Sequence, residues 1–177
     1  MELPHELTAA ERAALVKRFC DHLGSLELGE DGRVRGMMYT AAIHAPDAHN
    51  DARNYHLHII AHDRPAEFYP EYGRWDFEIA EAFEHRGEIR MRYPYRQDKI
   101  RAVNGTGAKD DPSKSGRNFI PALRRTFADM ANVALAGAGV AKRYDPRSYQ
   151  AMGIDRTPTE HLGTRAAALE AAGVATT

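Results

Sequence analysis

Two histidines, His56 and His58, lie two residues apart in a segment with the alternating pattern of a β-strand. Because successive side chains of a strand point to opposite faces, both imidazoles project from one face, close enough to share a metal ion. The pair alone is more typical of a polar, solvated sheet face. His44 ends the preceding predicted strand, and antiparallel pairing of the two strands places it beside the pair. Three imidazoles on one side, with other coordination positions open, are typical of a catalytic metal site.

Other histidines and the single cysteine contribute less to this hypothesis. His49 lies in the connecting loop and His62 further along the second strand, and we rank both below His44 as ligands. The histidine-triad nucleotide hydrolases carry three alternating histidines on one strand, but the third position here is Ile60. Cys20 is the only cysteine, which excludes a disulfide framework and a cysteine-based metal cage.

The two strands that position these histidines are predicted over Val34–His44 and Tyr55–His62. Residues 45–54 connect them, and this connection is too short for a crossover helix, so the strands should form an antiparallel pair. Alternation predicts one face with His56, His58, Ile60 and His62, and an opposite face with Tyr55, Leu57, Ile59 and Ala61. The second face is apolar enough to pack against helices.

Two amphipathic helices are predicted to cover that apolar face. Thr8 and Glu11 have the spacing of a capping box at the start of the first helix, and Gly24 is its predicted end. The second helix runs from about Ile120 to Ala136 with its own apolar stripe. The sequence therefore predicts an α+β fold, an antiparallel sheet with helices packed on one face and the histidines on the other.

A chain of 177 residues is long enough for one domain. Shorter elements are predicted between and after the main ones. They are a helix over Trp75–Phe83, a strand or extended arm over Ile89–Tyr95, a loop over Gly105–Gly116, a short strand near Lys142–Asp145 and a last helix over Arg165–Ala172.

The charges of the chain nearly cancel but are unevenly distributed. Its 24 Lys and Arg residues and 25 Asp and Glu residues leave a net charge of -1. Since phosphate neutralisation drives nonspecific DNA binding, this balance is a mild argument against a DNA function for the whole chain. Basic residues nevertheless concentrate within residues 86–125. No apolar run is long enough to span a membrane, and Met1–Ala10 is too polar for a signal peptide, so we expect a cytoplasmic protein without a membrane partner.

The segment Ile43–Ile60 resembles the metal-binding motif of the MobA/MobL family of plasmid relaxases, members of the HUH endonuclease superfamily. In that family a strand ending in Ile-His is followed by a loop, an Asp-x-Arg-Asn-x-His-x-His motif and an apolar run. The matching residues here are Ile43, His44, Asp51, Arg53, Asn54, His56 and His58. The family often closes this strand with Thr-Thr-Arg, of which only Arg64 is present here.

Four further blocks resemble the family in the same order along the chain. The first, Glu2–Thr8, is similar to its Ala-Leu-Pro-x-Glu-Leu segment. The others are Arg124–Gly139, Asp145–Ile154, where Pro146 replaces the usual His, and Pro158–Gly163. Together with the histidine motif they cover the chain except for residues 64–118, where the resemblance is weakest.

The resemblance implies a function. In such relaxases a tyrosine attacks one phosphodiester at the origin of transfer and forms a covalent 5′-phosphotyrosine, while a metal ion held by three histidines polarises the scissile phosphate. The expected partners are single-stranded or hairpin DNA at that origin and accessory mobilisation proteins. By resemblance the metal is magnesium or manganese, whereas three imidazole ligands favour manganese, nickel or zinc.

The resemblance also assigns roles to individual residues. His44, His56 and His58 would hold the ion. Asp51 or Asn54 would accept an imidazole N–H and fix its tautomer. Arg53 and Arg64 would contact phosphate, although a solvated surface arginine is an equally open interpretation of each.

The nucleophilic tyrosine of the family is the element that the sequence does not match. It lies on or after a first strand, upstream of the Leu-Pro-x-Glu-Leu segment, which begins here at Glu2. No tyrosine of this chain occupies that position, so no catalytic residue is assigned. We therefore expect one partial relaxase domain over residues 1–177, lacking the first strand, with an unpaired sheet edge and an irregular basic insert at about 64–118.

Three hypotheses remain open from the sequence. The first is a relaxase-derived chain with an intact three-histidine metal site. The second is a DNA-binding remnant that recognises an origin without cutting it. The third is a metal-dependent hydrolase that uses bound water in place of tyrosine.

Overall fold

The computed structural model describes residues 1–28, 33–47, 51–99, 116–156, 169 and 172–174. Residue contacts divide the chain into two units, Met1–Pro146 and Arg147–Thr177. The elements of the first unit are β1 (Glu2–Leu3), α1 (Ala9–Gly24), β2 (Glu27–Leu28), β3 (Val34–His44), β4 (Tyr55–Tyr69), β5 (Arg74–Trp75), β6 (Glu81–His85), β7 (Glu88–Arg92) and α2 (Gly116–Gly137). Within its described residues, the second unit contains a 3-10 helix over Gln150–Met152, followed by Gly153 in the left-handed conformation at φ 70°.

The main sheet has the antiparallel strand order β1-β4-β3-β2. The predicted strand Val34–His44 is confirmed, and β4 begins at Tyr55 as predicted but continues seven residues past His62 to Tyr69. Met37 pairs with Pro65 and Tyr39 with Ala61, so three residues of β4 oppose one of β3. This bulge contains the polar residues that resemble a strand end in the sequence, and the pairing resumes beyond it.

One edge of β4 is only partly covered. β1 pairs with β4 at Glu2 and Leu3, and Met1 and Leu57 exchange two backbone hydrogen bonds of 2.8 Å. On the same side, β5 pairs with Phe68 and Tyr69 near the other end of the strand. Between these two short strands no other described strand pairs with β4 on this edge, and the predicted loss of a first strand stays a prediction.

Both long helices and the apolar sheet face form the core, so the predicted α+β architecture is confirmed. Leu57 is 2% exposed on the core side, whereas Ile60 is 80% exposed on the opposite side with the histidines. Phe19 of α1 meets Phe127 of α2 edge to face, with ring centroids 5.2 Å apart. The other fully buried core side chains are Leu3, Ala131 and Leu135. Within the described residues, the structure contains no helix with the length and apolar character that crossing a bilayer requires.

The first turn of α1 is fixed by the predicted capping box. The Thr8 hydroxyl accepts a hydrogen bond of 3.3 Å from the Glu11 amide, and the Glu11 carboxylate accepts one of 2.8 Å from the Thr8 amide. Two N–H groups that would otherwise lack helical partners are thereby satisfied.

We expect Thr8→Ala to lower the unfolding free energy by about 1 kcal/mol, because the Glu11 amide loses its acceptor. For a domain of this size the midpoint of thermal unfolding, followed by circular dichroism, should fall by about 2–4 °C. Thr8→Ser keeps the hydroxyl and should unfold near the wild-type temperature. An equal loss in both variants would contradict the capping role.

The turn between β1 and α1 is held by a buried cation. The Arg12 guanidinium is 8% exposed and stacks on the Tyr55 ring at 3.7 Å from its centroid. It donates to the carbonyl oxygens of Pro4, His5 and Leu7. These contacts join the turn to β4 and thereby fix β1 beside the histidine strand.

The predicted helix over Trp75–Phe83 is wrong. Trp75 belongs to β5 and pairs with Phe68, and Phe83 belongs to the β6–β7 hairpin. Between them the buried Asp76 carboxylate accepts hydrogen bonds from the amides of Phe77, at 2.8 Å, and Gln97, at 3.1 Å. Trp75 and Phe83 are spaced as on a helix, but they lie in different strands and pair with different neighbours.

The stretch 64–118 is more regular than the sequence predicts. It contains the end of β4, β5 and a hairpin whose second strand, β7, includes part of the predicted extended arm. Arg86 and Gly87 connect the hairpin with positive φ angles of 55° and 79°, as a type I′ turn requires. Residues 100–115 of this stretch, with most of the predicted Gly105–Gly116 loop, lie outside the described residues.

The C-terminal part of the first unit also differs from prediction. α2 starts at Gly116, four residues before the predicted Ile120, so Pro121 lies inside the helix. The strand predicted near Lys142–Asp145 is wrong. The Asn132 side chain instead donates to the Tyr144 carbonyl at 2.9 Å and accepts from its amide at 2.7 Å, which occupies the backbone groups that a strand would use. The predicted last helix lies mostly outside the described residues.

Candidate metal centre

The pairing of β3 with β4 brings the three predicted histidines together. His44 lies directly opposite His56, and His58 is the next residue on the same face of β4. The ring centroids of His44 and His58 are 4.3 Å apart, and those of His56 and His58 are 6.0 Å apart. The strand-pairing argument from the sequence therefore placed these side chains correctly relative to one another.

The local electrostatics favour neutral imidazole at His58. Desolvation lowers the pKa of His58 from its usual value, and the nearby charges of His44, the Met1 ammonium group and His56 act in the same direction. A neutral imidazole has the free lone pair that a metal ion needs, whereas the protonated ring does not.

The histidines fit a divalent metal by donor type and position, but their rings are not arranged around a common point. His44 and His58 are stacked with an interplanar angle of 27°. Across the described residues, no group of three or more His, Cys, Asp or Glu side chains has a metal-binding arrangement. His44 and His58 are solvent-exposed, so rotation about their side-chain bonds, which coordination requires, is not blocked by core packing.

Asp51 and Asn54 form the turn that leads into β4. The Asp51 carboxylate accepts hydrogen bonds from the Arg53 amide at 2.8 Å and from its guanidinium at 2.5 Å, and these bonds lower the pKa of Asp51. The Asn54 amide donates to the Asp51 carbonyl at 2.8 Å. Within the described structure neither side chain hydrogen-bonds to a histidine, so their role as imidazole acceptors remains a prediction.

The two arginines assigned to DNA contact are placed differently. The Arg53 side chain is 68% exposed and lines an open polar pocket of about 280 Å³. Glu2, His5, Asp51, Asn54 and Lys142 complete the lining. Arg64 is half-buried at the end of the bulge and donates to the Gln97 carbonyl. Arg53 is thus at the surface in a pocket that it shares with Glu2, while Arg64 joins β4 to the segment after β7.

Among the described residues, no further histidine joins the cluster. His62 is exposed in the bulge, and its Nδ1 accepts a hydrogen bond of 3.1 Å from the Arg64 amide. His49 lies outside the described residues, as does His161. One carboxylate that sequence reasoning missed is close to the cluster, because β1 places Glu2 directly opposite His56.

All the tyrosines lie in described parts of the chain, and among those of the first unit none is in ring contact with His44, His56 or His58, whose ring contacts there are with one another. Tyr55 is on the core side under Arg12. Burial raises the pKa of Tyr39, as it does that of Tyr144, so these phenols stay protonated at neutral pH. We therefore assign none of these tyrosines as the nucleophile.

Three basic residues in the described part of the basic stretch are ion-paired. Arg90 pairs with Glu88 at 3.0 Å and Arg92 with Glu81 at 2.9 Å. Lys99 pairs with Asp63 at 3.3 Å. Glu81 and Asp63 precede the stretch in sequence. The fold therefore brings acidic residues from outside the stretch next to its basic side chains and offsets part of its positive charge.

Comparison with known proteins identifies the family. The model of the MobA/MobL family matches residues 1–172, and the chain belongs to that family. The chain is 28% identical to Mobilization protein A of Escherichia coli over 98% of its length and 29% identical to Mobilization protein MobL of Acidithiobacillus ferridurans over 96%. It is also 29% identical to the conjugal transfer protein TraA of Agrobacterium fabrum over 94% of its length.

These relatives are much longer than the region that they share with this chain. The matches cover 20% of Mobilization protein A, 41% of MobL and 13% of TraA. No solved structure matches the chain significantly.

Proposed function

We propose that this chain is the metal-binding part of a mobilisation protein that processes DNA at a plasmid origin of transfer. His44, His56 and His58 are its ion-holding residues. One observation carries the proposal: β3 and β4 bring three imidazole rings together on the face of the sheet opposite the helices, and His44 and His58 are exposed there among the described residues. The family and the names of the relatives, mobilisation and conjugal transfer proteins, supply the biological setting.

When bound at these histidines, a divalent ion such as manganese or magnesium would polarise a phosphodiester oxygen as a Lewis acid. The protein's own contribution is to hold the imidazoles on a pair of hydrogen-bonded strands and to lower the pKa of His58. Arg53 uses Nε and Nη2 for Asp51. Because a guanidinium has five N–H donors, Arg53 retains donors for a phosphate of the bound strand.

A second candidate, DNA binding without cleavage by this chain alone, is favoured by the placement of its tyrosines. Those with raised pKa values are held in other contacts: Tyr39 beside Cys20, Tyr95 with Tyr72, and Tyr144 with Glu2. A nucleophilic tyrosine must reach a phosphate polarised at the metal. Both candidates use the same metal site and differ in whether this chain supplies the attacking group.

The test is binding of a fluorescently labelled pool of random single-stranded oligonucleotides, measured by anisotropy in manganese and in EDTA. We expect tighter binding in manganese and loss of that difference in His44→Ala. His85→Ala, which changes a histidine on the hairpin outside the cluster, is the matched control. Equal affinity in manganese and EDTA, unaffected by His44→Ala, would contradict the proposed metal-assisted binding.

The same samples, run on a denaturing gel, distinguish the chemical alternatives. No protein-linked DNA is expected, because no tyrosine ring of the first unit contacts the three histidines and the Tyr144 hydroxyl, which donates to Glu2, has a raised pKa. A covalent adduct would show that one of these tyrosines does attack DNA. Free cleaved fragments that require manganese and all three histidines would instead favour the water-using hydrolase.

A further inference from the structure

Glu2 lies in one row with two of the histidines across three adjacent strands. β1 pairs Glu2 with His56, and β3 pairs His44 with the same His56 from the other side. Residues directly opposite one another on neighbouring strands project from the same face. The next residue of β1, Leu3, is fully buried on the core side, so Glu2 projects from the histidine face.

The hydrogen-bond pattern places the Glu2 and His56 side chains in the closer of the two cross-strand arrangements. Met1 and Leu57 exchange both backbone hydrogen bonds, at 2.8 Å each, and therefore form a hydrogen-bonded pair. In an antiparallel ladder the adjacent pair, Glu2 and His56, is then the non-hydrogen-bonded type. The Cβ atoms of such pairs are about 4.5–5.5 Å apart. A glutamate side chain can span that distance to an ion bound at the neighbouring imidazole.

The Glu2 carboxylate has few other partners. Its side chain is exposed at the surface, and its Oε1 accepts one long hydrogen bond, 3.5 Å, from the Tyr144 hydroxyl. Its side chain also lines the polar pocket that contains Asp51 and Arg53. Oε2 has no hydrogen-bond partner in the described part of the chain, so an oxygen donor is available beside His56.

We infer that Glu2 supplies a carboxylate oxygen to the ion held by His44, His56 and His58. This inference rests on the proposed metal site and specifies its fourth protein ligand. Three neutral imidazoles leave the double charge of the ion uncompensated, whereas a carboxylate reduces it. A carboxylate oxygen also makes the ligand set more suitable for manganese or magnesium, which prefer oxygen ligands.

The test compares Glu2→Gln with wild type by manganese calorimetry and by the visible absorption of bound cobalt. Glutamine keeps the size of the side chain but removes its charge. Loss of even an indirect partner of a metal ligand costs about 10–100-fold in affinity, so we expect the manganese dissociation constant to rise at least about tenfold. The cobalt spectrum should change because the anionic carboxylate ligand is replaced by a weaker neutral amide or is lost.

Glu6→Gln is the charge-matched control. The Glu6 carboxylate pairs with Lys142 at 3.1 Å and with His5 at 3.4 Å and lies outside the row of ligands. The Glu6→Gln variant should bind manganese like wild type. Unchanged affinity and spectrum in Glu2→Gln, or equal losses in the two variants, would overturn the Glu2 assignment while leaving the three-histidine site intact. Failure of wild type itself to bind manganese would overturn the proposed site together with this inference.

Discussion

The His56→Ala/His58→Ala variant is expected to bind no manganese in calorimetry, whereas wild type binds one ion. The substitutions remove two of three imidazoles and leave His44 as the only histidine in the cluster. One exposed imidazole, even with the Glu2 carboxylate nearby, replaces too few of the water molecules of a hydrated divalent ion. The effect should therefore be complete loss of measurable binding.

The fold should survive these two substitutions. His58 is exposed and His56 half-buried, on the face of β4 opposite the core. Exposed substitutions of this kind usually change the unfolding free energy by less than about 0.5 kcal/mol. His22→Ala/His85→Ala removes two histidines outside the cluster and should bind like wild type. Retained binding in the His56→Ala/His58→Ala variant would show that any ion is held elsewhere.

The second large effect is expected from Gly36→Ala. Gly36 is buried in β3 opposite Ala66, and a Cβ atom there would overlap the backbone carbonyl of Gly24 at the end of α1. Backbone cannot move aside as a flexible side chain can, so α1 and β3 must separate. Overpacking usually costs about 1–3 kcal/mol, and this position belongs at the upper end. Thermal unfolding, followed by circular dichroism, should shift down by about 6–12 °C.

Gly24→Ala is the matched control for that experiment. It adds the same methyl group on the other side of the same contact, where the nearest atom is a Tyr39 ring carbon at 3.7 Å. That distance is an ordinary van der Waals contact, and Gly24 is helical, so Ala should be neutral or mildly stabilising. If Gly36→Ala unfolded at the wild-type temperature, the close approach of α1 to β3 would be wrong.

The parts of the site that the sequence predicted depend on short-range geometry. The shared face of His56 and His58 follows from the two-residue period of a strand, and the position of His44 follows from a connection too short for any pairing but an antiparallel one. The capping box at Thr8 and Glu11 is likewise complete within four residues. Such features need no knowledge of the rest of the fold.

The features that the sequence did not predict depend on contacts between distant residues. The spacing of Trp75, Ile79 and Phe83 suits a helix, yet strand pairing and the buried Asp76 determine the structure there. The bulge in β4 is invisible in a sequence whose polar residues resemble a strand end. Glu2 could be placed beside His56 only once β1 was known to pair with β4, because 54 positions separate the two residues.

The most direct test of the central claim is to locate the ion by anomalous diffraction from crystals of this chain grown with manganese. We expect one strong anomalous peak on the histidine face, within bonding distance of a ring nitrogen from each of His44, His56 and His58. No peak there, or a peak bound by other residues, would contradict the three-histidine site and the function proposed from it.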